Sequence, residues 1–172
     1  MKSLFTILPA LFLFSCLLST DQKVDLNDFD FSTTDDSEIF FKNVRQSEYE
    51  IIEMKEARMN IFQMTGLSQT SSLWPKIIHN WSLDQASIWL ETDTALQKPI
   101  SILITTPTSS NTILFSGETR MEHLETSNAI FEAILDSSKV FVNDQEIFAM
   151  GSSQRKDFRV VMNDYFRLVG LK

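Results

Sequence analysis

The chain has 172 residues, of which 43% are hydrophobic and 22% are charged, and this composition is that of a single globular domain. Its 15 Lys and Arg against 23 Asp and Glu give a formal net charge of −8, which argues against a nucleic-acid-binding protein because phosphate backbones require basic side chains. A single Cys excludes an intrachain disulfide framework and a Cys-rich zinc site, and four Gly leave no glycine-rich phosphate loop.

Residues 1 to 20 carry the most specific pattern in the sequence. Lys2 precedes an apolar run from residue 4 to residue 14, interrupted only by Thr6 and Pro9. A helix that spans a bilayer needs about 20 apolar residues, so this run is short for a membrane span and suits the hydrophobic region of a signal peptide. We expect residues 1 to 15 to be a signal peptide that is removed.

The end of this run, Leu13-Phe14-Ser15-Cys16, resembles the lipobox of bacterial lipoprotein precursors. The resemblance implies that the Cys16 thiol receives a diacylglyceryl group and that Cys16 becomes the acylated first residue of the mature chain. Leu17 stands where an Asp would imply retention in the inner membrane, so the resemblance implies the outer membrane. It leaves open whether the domain faces the periplasm or the cell surface.

Two other interpretations of the N-terminus stay open, namely an ordinary secretory signal and an uncleaved anchor. In both, Cys16 is only a small apolar residue. We favour lipidation because the single Cys of the chain ends the single long apolar run. Two or three acyl chains would hold the protein stably in a membrane, whereas one chain gives only marginal binding.

Residues 16 to 36 are predicted to form an acidic tether between the anchor and the domain. Like charges repel along such a segment and extend it. The tether contains Lys23 as its base, against Asp21, Asp25, Asp28, Asp30, Asp35 and Asp36. Its apolar residues, which could dock onto the domain, are Val24, Leu26, Phe29 and Phe31. We place the globular domain at residues 37 to 172.

Short runs rich in β-branched and aromatic residues follow the tether, separated by clusters of Ser, Thr, Asn and Asp. This spacing is typical of antiparallel strands. The predicted strands are residues 39 to 45, 49 to 54, 58 to 64, 76 to 81, 87 to 92, 100 to 105 and 112 to 115. A hairpin is predicted further on, with strands 139 to 142 and 145 to 149 joined at residues 143 and 144.

Two helices are predicted in the last third of the chain. Thr119 and Glu122 have the spacing of a capping box, and apolar residues recur at helical spacing behind them. Ser152 or Ser153 caps the second helix, which ends at Gly170. Its apolar face consists of Phe158, Val161, Met162, Tyr165, Leu168 and Val169.

The order of these elements predicts an α+β domain. We expect an antiparallel sheet of about six to eight short strands, with the two helices of the C-terminal third packed on one face.

The residue types of common catalytic and metal sites are sparse. His79 and His123 are the only imidazoles, and no helical two-histidine metal motif or Gly-x-Ser-x-Gly nucleophile turn is present. We predict His79 to be a half-exposed sheet residue and His123 to lie on the surface of a helix. We expect no metal and no cofactor. A catalytic pair of carboxylates cannot be located among 23 acids without geometry.

Two groups of residues are candidates for contact with a ligand or partner. Trp74, Trp81 and Trp89 fall close together in the sequence and could form an aromatic platform, although packing within the sheet is the simpler interpretation. Arg155 and Arg159 lie on the predicted polar side of the last helix and form a basic strip, which could bind an anion or be a solvated face.

These observations favour a non-enzymatic envelope lipoprotein that is anchored in a membrane by acyl chains. Its α+β module would bind an envelope protein or glycan, or assist an assembly. An envelope-polymer hydrolase with a carboxylate pair is the main alternative, and a groove that brings two acids together would favour it. An inhibitor or protective factor, which meets a basic partner through its acidic surface, is a third possibility.

Overall fold

The computed structural model describes residues 23–27 and 29–171. The predicted signal peptide and Cys16 lie outside these residues. The elements are α1 (Asp35–Phe40), β1 (Glu50–Met54), β2 (Met59–Gln63), α2 (Thr65–Thr70), β3 (Leu73–Asn80), β4 (Gln85–Thr92), β5 (Ile100–Thr105), β6 (Ser110–Phe115), α3 (Arg120–Leu135), β7 (Lys139–Val142), β8 (Gln145–Ile147) and α4 (Ser153–Leu168). All strand pairs are antiparallel, and the predicted α+β class is confirmed.

The described strands are divided between two four-stranded sheets. The first is a meander in the order β1-β2-β3-β4, and the second has the order β6-β5-β7-β8. The predicted turn between β7 and β8 is present, and both of its residues, Asn143 and Asp144, have positive φ angles of 47° and 65°. Asn and Asp tolerate this left-handed conformation, which matches the twist of a two-residue hairpin.

Helix α4 begins and ends where the sequence predicts. The Ser152 side chain accepts a hydrogen bond from the backbone N–H of Arg155, and Gly170 follows the helix with a φ of 77°. All six residues of the predicted apolar face are buried. The helix contacts β3 and β4, so the apolar face predicted from the helical spacing is the face that packs on the first sheet.

Helix α3 is capped by Thr119, whose side chain accepts a hydrogen bond from the backbone N–H of Glu122 at 3.1 Å. The Glu122 carboxylate does not complete the predicted box on Thr119, because it accepts from the backbone N–H groups of Ser116 and Glu118 instead. The helix contacts β4, β6 and β7, so one core joins both sheets.

The strand predicted at residues 39 to 45 is wrong. The chain there forms the end of α1 and a π-helical segment, Phe41–Arg45, followed by a 3₁₀ turn, Gln46–Glu48. A short apolar run does not distinguish a strand from a buried helix, and the deciding signal is Thr34, which caps the N-terminus of α1 together with Ser37. Helix α2 lies between two predicted strands, in a stretch where the sequence predicts no helix or strand.

Part of the segment assigned to the tether lies against the domain. The Phe31 side chain is buried, and its carbonyl accepts a hydrogen bond from the backbone N–H of Ala86 on the edge of β4. The backbone N–H of Thr33 donates a hydrogen bond to the backbone carbonyl of Asp84. The ordered fold therefore begins before residue 37, and this stretch covers one edge of the first sheet.

No helix within the described part of the chain is long and apolar enough to cross a membrane.

Candidate functional site

A cavity of about 630 Å³ lies between the β1–β2 hairpin and the first helical segment, and we call it the hairpin cavity. It is lined by Glu38, Phe41, Lys42, Gln46, Glu53, Lys55, Asn60, Phe62, His79, Trp81 and Leu168. Its volume lies in the range of small-ligand sites, about 300 to 1,000 Å³. Its lining combines charged side chains, two carboxamides and an imidazole with aromatic rings.

The strand register places three polar side chains in one row along a wall of the cavity. Glu53 pairs with Asn60 across β1 and β2, and Asn60 pairs with His79 across β2 and β3. The next row on the same face contains Phe62 and Ile77, which belong to the core. Residues that are directly paired across antiparallel strands share one face, so this polar row ends the apolar core and faces the cavity.

His79 is held by a carboxylate on the opposite wall. Its Nε2 atom lies 2.9 Å from Oε1 of Glu38, and the hydroxyl of Thr33 donates a hydrogen bond to the same oxygen. The predicted half-exposed position of His79 is wrong, because the residue is only 9% exposed. The contact orients the imidazole and brings the N-terminal segment, α1 and β3 together at the cavity.

One wall of the cavity is formed by the helical segment from α1 to Gln46, and hydrogen bonds join this segment and Tyr49 behind it to α4. The Ser37 hydroxyl donates to the carbonyl of Leu168 at 2.6 Å. Further along, Asp164 accepts hydrogen bonds from Nε of Arg45 at 2.8 Å and from the hydroxyl of Tyr49 at 2.7 Å. Burial and the adjacent Asp164 carboxylate raise the pKa of Tyr49, so this phenol stays a donor. These contacts hold the helical side of the cavity against α4.

The apolar lining has both buried and accessible parts. Phe41 and Phe62 are nearly inaccessible and lie with ring centres 4.9 Å apart in an edge-to-face arrangement. Trp81 follows the end of β3 and is 48% exposed. The Trp81 ring is thus accessible to a ligand, whereas Phe41 and Phe62 are part of the buried core beneath the cavity.

The charged residues of the cavity balance one another. Glu38 and Glu53 contribute two carboxylates, and Lys42 and Lys55 contribute two ammonium groups. The Lys55 ammonium lies 3.5 Å from Oε2 of Glu53 on the rim, where both side chains are largely exposed. The site therefore has no excess of either charge.

The three candidate tryptophans do not form one platform. Trp74 and Trp89 lie on the face of the first sheet opposite the cavity, where Lys76 pairs directly with Trp89 and Trp74 pairs with Glu91. Trp89 is 41% exposed and stacks on the ring of His123 at 4.4 Å. Of the three, only Trp81 lines the hairpin cavity.

Arg155 is not on a solvated helix face, which corrects its predicted position. It is 7% exposed. Its Nη1 atom donates to the carbonyls of Ser138 and Phe148, and its Nη2 atom donates to those of Ala133 and Ile134, over distances of 2.9 to 3.2 Å. The guanidinium thus caps the end of α3 and holds the loops around it.

Arg159 is exposed and lines a second, more open cavity of about 720 Å³ together with Lys156 and Ser152. Because the Arg155 guanidinium is buried and donates to backbone carbonyls, Arg155 and Arg159 do not form one basic surface.

His123 is also buried, at 1% exposure, where a surface position was predicted. Its Nδ1 atom accepts a hydrogen bond from the backbone N–H of Leu90 at 2.9 Å, so the imidazole covers the edge of β4. Burial and the nearby Lys98 ammonium lower the pKa of His123. The neutral ring is therefore the form that fits this position.

Sequence reasoning missed most of the hairpin cavity, including Glu38, Gln46 and Asn60. Alternation along β3 puts His79 on the face opposite Ile78 and Asn80, and this is the one local signal that relates to the cavity. Within the described residues, no cluster of three or more His, Cys, Asp or Glu has the arrangement of a metal site.

No protein-family model, no curated protein and no solved structure matches this chain.

Proposed function

We propose that this protein is a lipid-anchored binding module of the bacterial envelope and that it binds its ligand in the hairpin cavity. The N-terminal anchor rests on the lipobox-like residues that end at Cys16. The binding role is supported above all by the cavity, which combines converging polar groups with an exposed aromatic residue. Concave sites of this composition are the usual places for small-ligand binding.

The anchor is tested by expressing the full chain in a bacterium. We expect the wild type to sediment with membranes and its intact mass to show an acylated chain that begins at Cys16. The Cys16→Ala variant should remain unprocessed or leave the membrane. An unmodified Cys16, or a chain that starts elsewhere, would contradict the anchor.

The binding role is tested with the mature chain from residue 16 carrying Cys16→Ala. The chain is mixed with an isolated bacterial envelope fraction and its co-sedimentation is measured. Trp81→Ala should reduce the bound amount, whereas Leu83→Ala should not, because Leu83 is 62% exposed in the same turn and does not line the cavity. Equal binding by the two variants would exclude the cavity as the site of attachment.

A second candidate function, hydrolysis of an envelope glycan, is favoured by one observation: Glu38 and Glu53 line the same cavity. Glu53 lies two strands away from His79, which contacts Glu38.

If the protein hydrolyses an envelope glycan, the wild type should release reducing ends from isolated cell-wall polymer. The Glu38→Gln or Glu53→Gln variant should still bind the polymer but release none. Binding without release by the wild type would reject this candidate and leave the binding role intact.

A further inference from the structure

We infer that the hairpin cavity takes a neutral saccharide, with one pyranose ring lying on the indole of Trp81. This inference rests on the proposed function and deepens it by naming the class of ligand. Three properties of the cavity support it: the accessible indole, the mixture of hydrogen-bond donors and acceptors, and the balance of charge.

The first property is the accessible indole. Trp81 is 48% exposed and lines the cavity, so its indole is accessible to a ligand there. A pyranose ring has a face of C–H groups, whose partial positive charge suits the negative face of an aromatic ring. Phe41 and Phe62 are buried beside the cavity and offer no second face, so the geometry suits one stacked ring.

The second property is the polar lining. Asn60 and Gln46 each carry a carboxamide, which both donates and accepts, and they come from β2 and from the 3₁₀ turn. Sugar hydroxyls also donate and accept, so these amides match them. The Glu38–His79 pair adds a fixed polar edge at 2.9 Å, with side chains 28% and 11% exposed.

The third property is the charge. An anionic ligand would need an excess of cations, but Lys42 and Lys55 are offset by Glu38 and Glu53. A cationic ligand would need an unengaged carboxylate, but Glu38 already accepts from Thr33 and contacts His79, and Glu53 lies beside Lys55. A neutral ligand therefore costs the least desolvation of unpaired charge.

The experiment uses the mature chain from residue 16 carrying Cys16→Ala, titrated with three named probes. These are a neutral N-acetylglucosamine trisaccharide, a neutral glucose trisaccharide, and a galacturonic acid trisaccharide that carries carboxylates. Binding is followed by calorimetry and by indole fluorescence. We expect one or both neutral probes to bind and the anionic probe to bind at least about tenfold more weakly.

Matched variants locate the bound sugar. Trp81→Phe should remove the fluorescence change and weaken binding, and Asn60→Ala should weaken it about tenfold or more. Trp89→Phe is the control, since Trp89 is similarly exposed at 41% but lies on the opposite face of the sheet. It should retain both the affinity and the fluorescence change.

Two results would overturn the inference: preferential binding of the anionic probe, or a loss of binding in Trp89→Phe with Trp81→Phe unaffected. If none of the probes binds while Trp81→Ala still reduces attachment to the envelope fraction, the saccharide is excluded and the proposed binding function stands. If neither assay depends on Trp81, both fail.

Discussion

The guanidinium of Arg120 stacks over the ring of Phe31, with its central carbon 3.7 Å from the ring centre. Arg120 is the first residue of α3, and its Nη1 atom also donates to Gln85 at the start of β4. Ser32 forms a β-bridge with Gln85. Cation–π stacking and backbone pairing therefore tie the N-terminal segment to the domain at one point.

We expect Phe31→Ala to lower the free energy of unfolding by about 3 kcal/mol, because the ring is almost completely buried and its removal leaves a cavity. A chain that begins at Thr34 should be destabilised to a similar or greater extent. Urea denaturation measures both. Unchanged stability would show that the domain folds independently from residue 37, as the sequence alone predicts.

Replacing Arg155 tests its role as an internal cap. Arg155→Lys keeps the positive charge but cannot reach four carbonyl oxygens in two directions, so we expect a loss of about 2 to 4 kcal/mol of unfolding free energy. Lys156→Ala is the exposed neighbour on the same helix and should change stability by less than about 0.5 kcal/mol. Equal effects would mean that the buried hydrogen bonds contribute nothing measurable.

The buried face of α4 can be tested at Phe158, which is inaccessible and lies 4.8 Å from the ring of Phe148. Phe158→Ala should cost about 3 to 5 kcal/mol through lost transfer energy and a residual cavity. Arg159→Ala, on the exposed side of the helix, should stay within about 0.5 kcal/mol. Thermal and urea unfolding give both values, and a neutral Phe158→Ala would show that this face is not core.

Glu122 should make stability depend on pH in acid. Burial alone would raise its pKa, but hydrogen bonds from the backbone of Glu118, Ser116 and Gly117 and from the Ser116 hydroxyl lower it to about 2. A carboxyl whose folded pKa lies below its unfolded value stabilises the fold above the unfolded pKa. Its contribution should therefore be complete above about pH 4.5 and disappear as the pH falls towards 2.

The measurement is the difference in unfolding free energy between wild type and Glu122→Gln from pH 7 to pH 2, which should shrink over that interval. Glu125→Gln, an exposed residue of the same helix, controls for the loss of one negative charge. A difference that stays constant with pH would contradict the lowered pKa.

His123 should add a second pH dependence near neutrality. Because its folded pKa is lowered, the unfolded chain binds the proton more readily, and stability should fall as the pH drops below about 6.5. His123→Gln should flatten the dependence of the melting temperature on pH between 7.5 and 5.5. His79→Gln serves as the comparison, since His79 is the other histidine of the chain.

Local signals in the sequence determined the secondary structure of the second half of the chain. The bounds of β5 and α4, the cap at Thr119 and the turn at Asn143 depend on residues within a few positions of one another. Periodicity and capping chemistry act over this distance, so one sequence suffices to predict them. The same reasoning failed at residues 39 to 45, where apolar and aromatic residues suit either a strand or a helix.

Tertiary structure alone decided where the polar residues lie. The sequence predicts Arg155 and His123 on helix surfaces, yet both are buried, and backbone groups of other elements form hydrogen bonds with them. Glu38 and His79 are 41 positions apart and meet only because α1 packs over the first sheet. Burial of a polar group is favourable only when a partner is already in place, and a partner distant in sequence leaves no local trace.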